Sequence, residues 1–217
     1  IIFDIHSEYK NAFSLAESEN FTLNNLDVEK INIPYWLMNS EELESLFIES
    51  NEMNSHNQIS QFKRAVILSK EKHNPGRKIT YDMPVYFDIK EVYNFIYNLN
   101  SEVISKIDGE YGKPKLTNGH LVENISEYLE NTYEFIASSQ SKDNKASNGP
   151  FNGEFERFLT RIETKLNDKR LEFITNPKKE DESEFKTEDF SIILKQFIGY
   201  IDKSNISIID LSGVPFE

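Results

Sequence analysis

The 217-residue sequence contains no cysteine, which excludes disulfides, thiolate metal sites and cysteine nucleophiles together. It has no apolar run near the roughly 20 residues that a membrane helix needs. No basic segment followed by an apolar stretch marks a secretory signal. A phosphate loop is also missing. That motif, G-x-x-x-x-G-K-[ST], needs glycines whose backbone N–H groups surround phosphate oxygens and a Lys for the β/γ oxygens. Gly112-Lys113 is followed by Pro114 and has no Gly five residues before Gly112, and Gly76-Arg77-Lys78 fails in the same way. No G-x-S-x-G or H-E-x-x-H pattern occurs. Basic residues are few: 24 Lys plus Arg stand against 37 Asp plus Glu, a formal net charge of −13. Such a balance repels nucleic acid unless the basic groups cluster, and in this sequence they do not.

What the chain does contain is aromatic. Sixteen Phe and ten Tyr within a hydrophobic fraction of 38% can build a core. Charged residues make up 28% and the mean hydropathy is −0.57, values of a soluble globular chain. Its mass of 25.3 kDa suits one large domain or a domain with an appended piece. With no export signal it reads as cytoplasmic. It begins at Ile1 with residues that look like the middle of a domain, so the expectation is a piece excised from a longer protein.

Two apolar runs frame the sequence. Ile1 to Ile5 gives way to His6, Ser7 and Glu8, and Ile206 to Leu211 gives way to Ser212, Gly213, Val214 and Pro215. Apolar runs ending in charge suit buried parallel strands with their carboxyl-end loops. Their positions predict neighbouring strands of one sheet, with everything between them an insertion or a long crossover. The interval reads as mostly helical. Asn39 and Glu42 form a candidate capping box before Leu43, Leu46 and Phe47, and Ser55 with Gln58 forms a second. That second box opens a helix through Ile59, Phe62 and Val66, which Pro75-Gly76 ends. Val85 to Ile89 reads as a short extended piece. Helical spacing follows in Val92, Phe95, Ile96, Leu99 and Val103, again from Leu121 through Ile125, Tyr128 and Leu129 to Ile136, and again in Phe155, Phe158, Leu159, Ile162 and Leu166. Residues 137–150 read as a flexible loop and Lys178 to Asp189 as a charged linker. Thr187 is the candidate N-cap of a last helix through Phe190, Ile193, Leu194, Phe197 and Ile201.

Chemistry-bearing residues gather at the two strand ends. If the first strand continues through Asp4, His6 and Glu8, a period of two puts all three on one side, facing the crevice where α/β proteins bind ligands. Such groups can orient water or hold a hydrated Mg²⁺, or simply solvate a strand end; a metal site built on the three is the sharper alternative. Asp210, ending an apolar strand before Ser212 and Gly213, resembles a Walker B strand without the following Glu. Its plainer reading is a strand and a Gly-Pro turn. His56, His73 and His120 are scattered surface groups. Arg157 and Arg161 are expected to pair with Glu154, Glu156 or Glu163, and Trp36 to plug the junction of a loop and a helix.

Three stretches carry a resemblance to the HerA-type branch of the FtsK/HerA ATPases, hexameric RecA-like motors that translocate DNA. Ile2-Phe3-Asp4-Ile5-His6-Ser7-Glu8-Tyr9 looks like the family's strand ending in D-P-H-G-E-Y, with Ile5 and Ser7 in place of Pro and Gly. Pro34-Tyr35-Trp36-Leu37-Met38 followed by Glu41-Glu42-Leu43 is similar to its P-Y-W-L-x-x-x-E-E-L segment. Ser207 to Pro215 looks like its I-I-D-L-S-G-[LV]-P strand and turn. Arg161-Ile162, Asp168 and Arg170 to Phe173 resemble the approach to the family's last insertion helix.

The resemblance implies an α/β, mostly helical fold, in which a helical-bundle subdomain is inserted between two adjacent parallel strands of a RecA-like P-loop core. Residues 1–38 would carry the first core strand and its connection, 39–203 the helical insertion, and 204–217 the returning strand and turn. The phosphate loop would lie before Ile1 and the catalytic acidic strand after Glu217. Asp4, His6, Glu8, Asp210 and Ser212 would then sit near the nucleotide and Mg²⁺ of the parent. The implied parent hydrolyses ATP to move double-stranded DNA through a ring of subunits, and these 217 residues alone would be catalytically silent. A non-enzymatic helical module that docks a partner such as a nuclease is the alternative. Bare strand edges at Ile1 to Ile5 or Ile206 to Leu211 would favour dimerisation.

Overall fold

The two apolar runs form neighbouring strands. In the computed structural model, which describes residues 1–14, 22–138, 145–199 and 203–214, the first run makes β1 (Ile2–Asp4), followed by α1 (Tyr9–Ser14) and β2 (Leu23–Leu26). Then come α2 (Ser40–Phe47), α3 (Ser55–His73), α4 (Ile89–Ser101), β3 (Val103–Ser105), β4 (Ala146–Asn148), α5 (Glu156–Asn167), α6 (Glu172–Thr175) and α7 (Phe190–Phe197). The last run makes β5 (Ile206–Asp210). The fold is α/β, with a small parallel sheet. The described residues split into two compact units: residues 1–38, 84–86 and 164–217 in one, residues 39–83 and 87–163 in the other. Residues 164–199 thus group with the two terminal strands and not with the helices that precede them.

The first unit is built on a three-stranded parallel sheet of order β1-β5-β2. Ile2 pairs with Ile208, Phe3 with Ile209 and Asp4 with Asp210; on the other side Leu23 pairs with Ile206 and Leu26 with Ile209. β5 lies in the centre, which is why Ser207 through Asp210 are all buried where a half-exposed strand would alternate. That position also removes Ile206 to Leu211 as a pairing edge; among the described residues β1 is the edge on that side. Ile209, Leu26, Ile31 and Phe173 form the apolar core, with Val28, Ile33, Phe197 and Leu211 packed against it. Gln196 of α7 braces this layer. Its amide accepts from the Asn32 N–H at 3.0 Å and donates to the Asn32 carbonyl at 2.6 Å, while its own carbonyl accepts from Asn24 Nδ2 at 2.8 Å.

The second unit is a helical body with a small antiparallel ribbon, β3 against β4. Its core is aromatic: Phe62 meets Phe47 at 5.8 Å and Phe158 at 5.9 Å, and Phe95 meets Tyr128 at 6.2 Å edge to face. The Asn39–Glu42 capping box forms as expected, and α5 matches its apolar spacing.

Several local expectations are corrected. Ser55 lies inside α3, and Gln58 donates to Glu52 at 2.6 Å, so no second capping box forms. The extended piece expected over Val85 to Ile89 stops one residue early: Asp88, itself extended, caps α4 by accepting from the Lys90 N–H, and Ile89 begins the helix. Val103 leaves the helix to begin β3. The segment from Leu121 to Ile136 is no helix beyond a 3-10 turn at Ile125–Leu129. Asn98 is the reason: its amide donates to the carbonyls of Tyr128 and Asn131 and accepts from the Tyr133 N–H, claiming groups an α-helix would need. Within the expected flexible loop, Ala146–Asn148 is strand β4, while 139–144 lie outside the described residues. Thr187 opens a 3-10 turn where an N-cap was expected, its hydroxyl accepting from the Tyr86 N–H at 2.8 Å. Ile201 and Pro215 also lie outside the described residues.

One buried cation marks the helical body. Lys70 is fully buried, and its ammonium donates to the carbonyls of Tyr81 at 2.5 Å and Met83 at 2.7 Å. Burial pushes its pKa down to about 8, with the charge of Asp82 partly opposing the shift. The unfolded chain therefore holds this proton up to a higher pH than the folded one. Relative to a Lys70→Met variant, the native protein should gain stability as pH rises from about 8 to 10.5, by up to about 3 kcal/mol. Urea unfolding of both proteins across that window checks this, and a pH-independent difference would contradict it.

Candidate functional site

Because β1 and β5 run parallel and in register, their carboxyl ends bring Asp4 and Asp210 side by side, 206 positions apart in sequence. Parallel strands direct their exit loops to the same edge, the edge where α/β proteins place ligands. The ladder is extended beyond the strands by the Leu211 N–H, which donates to the Asp4 carbonyl at 2.7 Å.

Asp4 is buried and turned to its own loop. Its Oδ1 accepts from the His6 and Glu8 N–H groups, each at 3.2 Å, and its Oδ2 from the Tyr9 N–H at 2.9 Å. Three backbone donors on one carboxylate gather the turn that starts α1. The strand does not continue through His6 and Glu8, so the alternation that would align them with Asp4 is absent. Instead Ser7 bends the chain with a φ of +57° and leaves His6 and Glu8 exposed. A left-handed residue is what a glycine supplies at low cost, so the serine at this position holds a backbone conformation that side chains disfavour.

Asp210 is also buried and also filled. Oδ1 accepts from the Ser212 N–H at 3.0 Å and the Ser212 hydroxyl at 2.7 Å, and Oδ2 accepts from the Ser7 hydroxyl at 2.7 Å. Burial by itself would raise the pKa of this carboxyl. The hydrogen bonds from Ser212 and Ser7, with the positive charge of Lys10, outweigh burial and hold it below the ordinary aspartate value. Just beyond, Gly213 lies against the segment after β2, where an added Cβ would stand 2.9 Å from Val28 Cγ2.

The structure thus brings together Asp4, Asp210 and Ser212 of the expected residues, and places His6 and Glu8 at the surface of the same loop. Sequence reasoning missed the roles of Ser7 and Lys10; a serine in a left-handed bend and a lysine at the second position of a short helix carry no motif. Arg161 departs from expectation too, reaching Glu52 at 2.6 Å and Glu49 at 3.3 Å instead of the glutamates of its own helix.

A family model described as "Helicase HerA, central domain" matches residues 1–217. The chain belongs to the HerA central-domain family. No curated protein matches it. For a HerA-type domain the expected cofactor is Mg²⁺-bound ATP, and the donors present do not make a site for it. Magnesium takes oxygen ligands with free lone pairs, whereas the carboxylates of Asp4 and Asp210 are each occupied by three protein donors. No phosphate loop is in the sequence. Among the described residues no three His, Asp or Glu side chains are grouped to hold a metal ion, so the metal-site reading of Asp4, His6 and Glu8 lacks its geometry. Nor, among those residues, is any helix long and apolar enough to cross a membrane.

The two aspartates have separate structural duties, which can be measured. Asp4→Ala would strand three backbone N–H groups at a partly buried turn and should cost roughly 1–3 kcal/mol. Asp4→Asn, which still accepts, should cost less. Urea unfolding gives both values, and an alanine variant as stable as the native chain would refute this account of Asp4.

Proposed function

We propose that this chain is the part of a HerA-type DNA-translocating ATPase that lies between its two nucleotide motifs. The observation that carries the reading is the parallel register of β1 with β5, which sets two acidic strand ends side by side within a member of this family. In this reading the sheet of the first unit belongs to a RecA-like core, and the helical body of residues 39–83 and 87–163 is an insertion between two core strands. Asp4, His6, Glu8, Asp210 and Ser212 border the nucleotide pocket of the parent.

The chain's own groups act there by shaping. Asp4 gathers the backbone of the exit loop, Asp210 ties that loop to the next strand, and His6 and Glu8 are the polar groups left free to face a ligand. Bound nucleotide and Mg²⁺ would supply the phosphoryl chemistry, with their ligands coming from outside these 217 residues. The parent would work as a ring on double-stranded DNA. The acidic balance of the chain suits an outer surface better than a DNA-lined pore.

A specific observation keeps the docking reading in view. Phe190, Leu194 and Ile198 follow one another at helical spacing along α7 and its end, and all three are exposed. This stripe suits packing on a neighbouring subunit or on a partner such as a nuclease.

The purified 217 residues should show no ATP hydrolysis above background, with or without double-stranded DNA, whereas the longer protein carrying a phosphate loop should hydrolyse ATP faster when DNA is added. Hydrolysis by the 217 residues that Asp4→Ala abolishes, or a longer protein without ATPase activity, would overturn the proposal.

A further inference from the structure

Building on that functional reading, we infer that Ser7 is a positioning residue: by donating its hydroxyl to Asp210 it latches the loop after β1 to the end of β5, and so fixes the direction in which His6 and Glu8 are presented. Ser7, Glu182 and Lys203 are the non-glycine residues with positive φ among those described. Glu182 and Lys203 are exposed, whereas Ser7 is half-buried between two strand ends. A side chain in this region is sterically disfavoured and persists where its surroundings compensate. Here the compensation is visible. The hydroxyl reaches Asp210 Oδ2 at 2.7 Å, on a strand 203 positions away.

Asp210 is a fixed anchor, because Ser212 holds its other oxygen through both backbone and side chain. Asp4 on its own is a looser one: its bonds to the His6 and Glu8 N–H groups, on either side of Ser7, are 3.2 Å long. With two anchors on two strands, the bend at Ser7 has one orientation. Ser7 acts through the backbone and does not itself have to touch a ligand.

Two substitutions separate the hydroxyl from the bend. Ser7→Gly accommodates the left-handed backbone and removes the donor, while Ser7→Asn tolerates the same backbone and retains an N–H donor. Amide hydrogen exchange on the 217-residue protein reads the latch directly. Ser7→Gly should speed exchange at His6, Glu8 and Tyr9 by about tenfold, leave Ile208 and Ile209 as they are, and be largely reversed in Ser7→Asn. Native-like protection in Ser7→Gly, or a loss spread equally over β5, would overturn the latch.

In the longer protein, Ser7→Gly should lower kcat for ATP about tenfold with KM changed less than about twofold, and Ser7→Asn should restore part of the loss. Full kcat in Ser7→Gly would overturn the positioning role. A longer protein that hydrolyses no ATP in any form would overturn the proposed function and the role of Ser7 in turnover, while the latch itself is decided by the exchange measurement.

Discussion

The pairing of β1 with β5 is the constraint from which the rest of the first unit follows. It closes a loop of about 200 residues, which for a flexible chain costs on the order of 5 kcal/mol in entropy. A ladder of three residue pairs does not offset that alone. The remainder comes from burying β5 between two neighbours, with Ile208 and Ile209 taken out of water, and from the separate folding of residues 39–83 and 87–163 into their own aromatic core, which shortens the effective loop. The sheet and the helical body therefore support one another thermodynamically, each making the other's chain topology affordable.

The same pairing creates an electrostatic problem and its solution. Two buried aspartates occupy adjacent strand ends, and buried carboxylates need hydrogen-bond donors to replace the water they lose. Each is supplied with three hydrogen-bond donors, and Lys10 adds positive charge near Asp210. These donors come from the loops that leave the strands. The acidic pair consequently organises the loops at this edge of the sheet, and three of the roughly four acceptor positions on each carboxylate serve that shape. The groups left exposed, His6 and Glu8, are held by backbone contacts on either side of a single left-handed residue.

The strand ends were legible in the sequence because continuous apolar runs closing on an aspartate have few other folded explanations; both the parallel pairing and the juxtaposition of Asp4 with Asp210 could be read this way. β2 was not legible. Leu23-Asn24-Asn25-Leu26 has poor intrinsic strand preference, and its place in the sheet depends on long-range bonds, Asn24 to Ser207 and to the Gln196 carbonyl. The segment around Tyr128 misled in the opposite direction. Its helical spacing is real, but Asn98 captures its backbone from another element. At the site, the acidic residues could be found by type and position, whereas the function of Ser7 resides in a dihedral angle and a contact across 203 positions. Strict alternation through His6 and Glu8 failed for the same reason.

The most direct test of the account is an NMR measurement of the scalar coupling transmitted across the hydrogen bond between the Leu211 amide nitrogen and the Asp4 carbonyl carbon. The account predicts that this coupling is observed and that the Leu211 amide is protected from solvent. A Leu211 amide that exchanges freely, or that couples to a carbonyl other than that of Asp4, would contradict the adjacency of the two strands and the functional reading built on it.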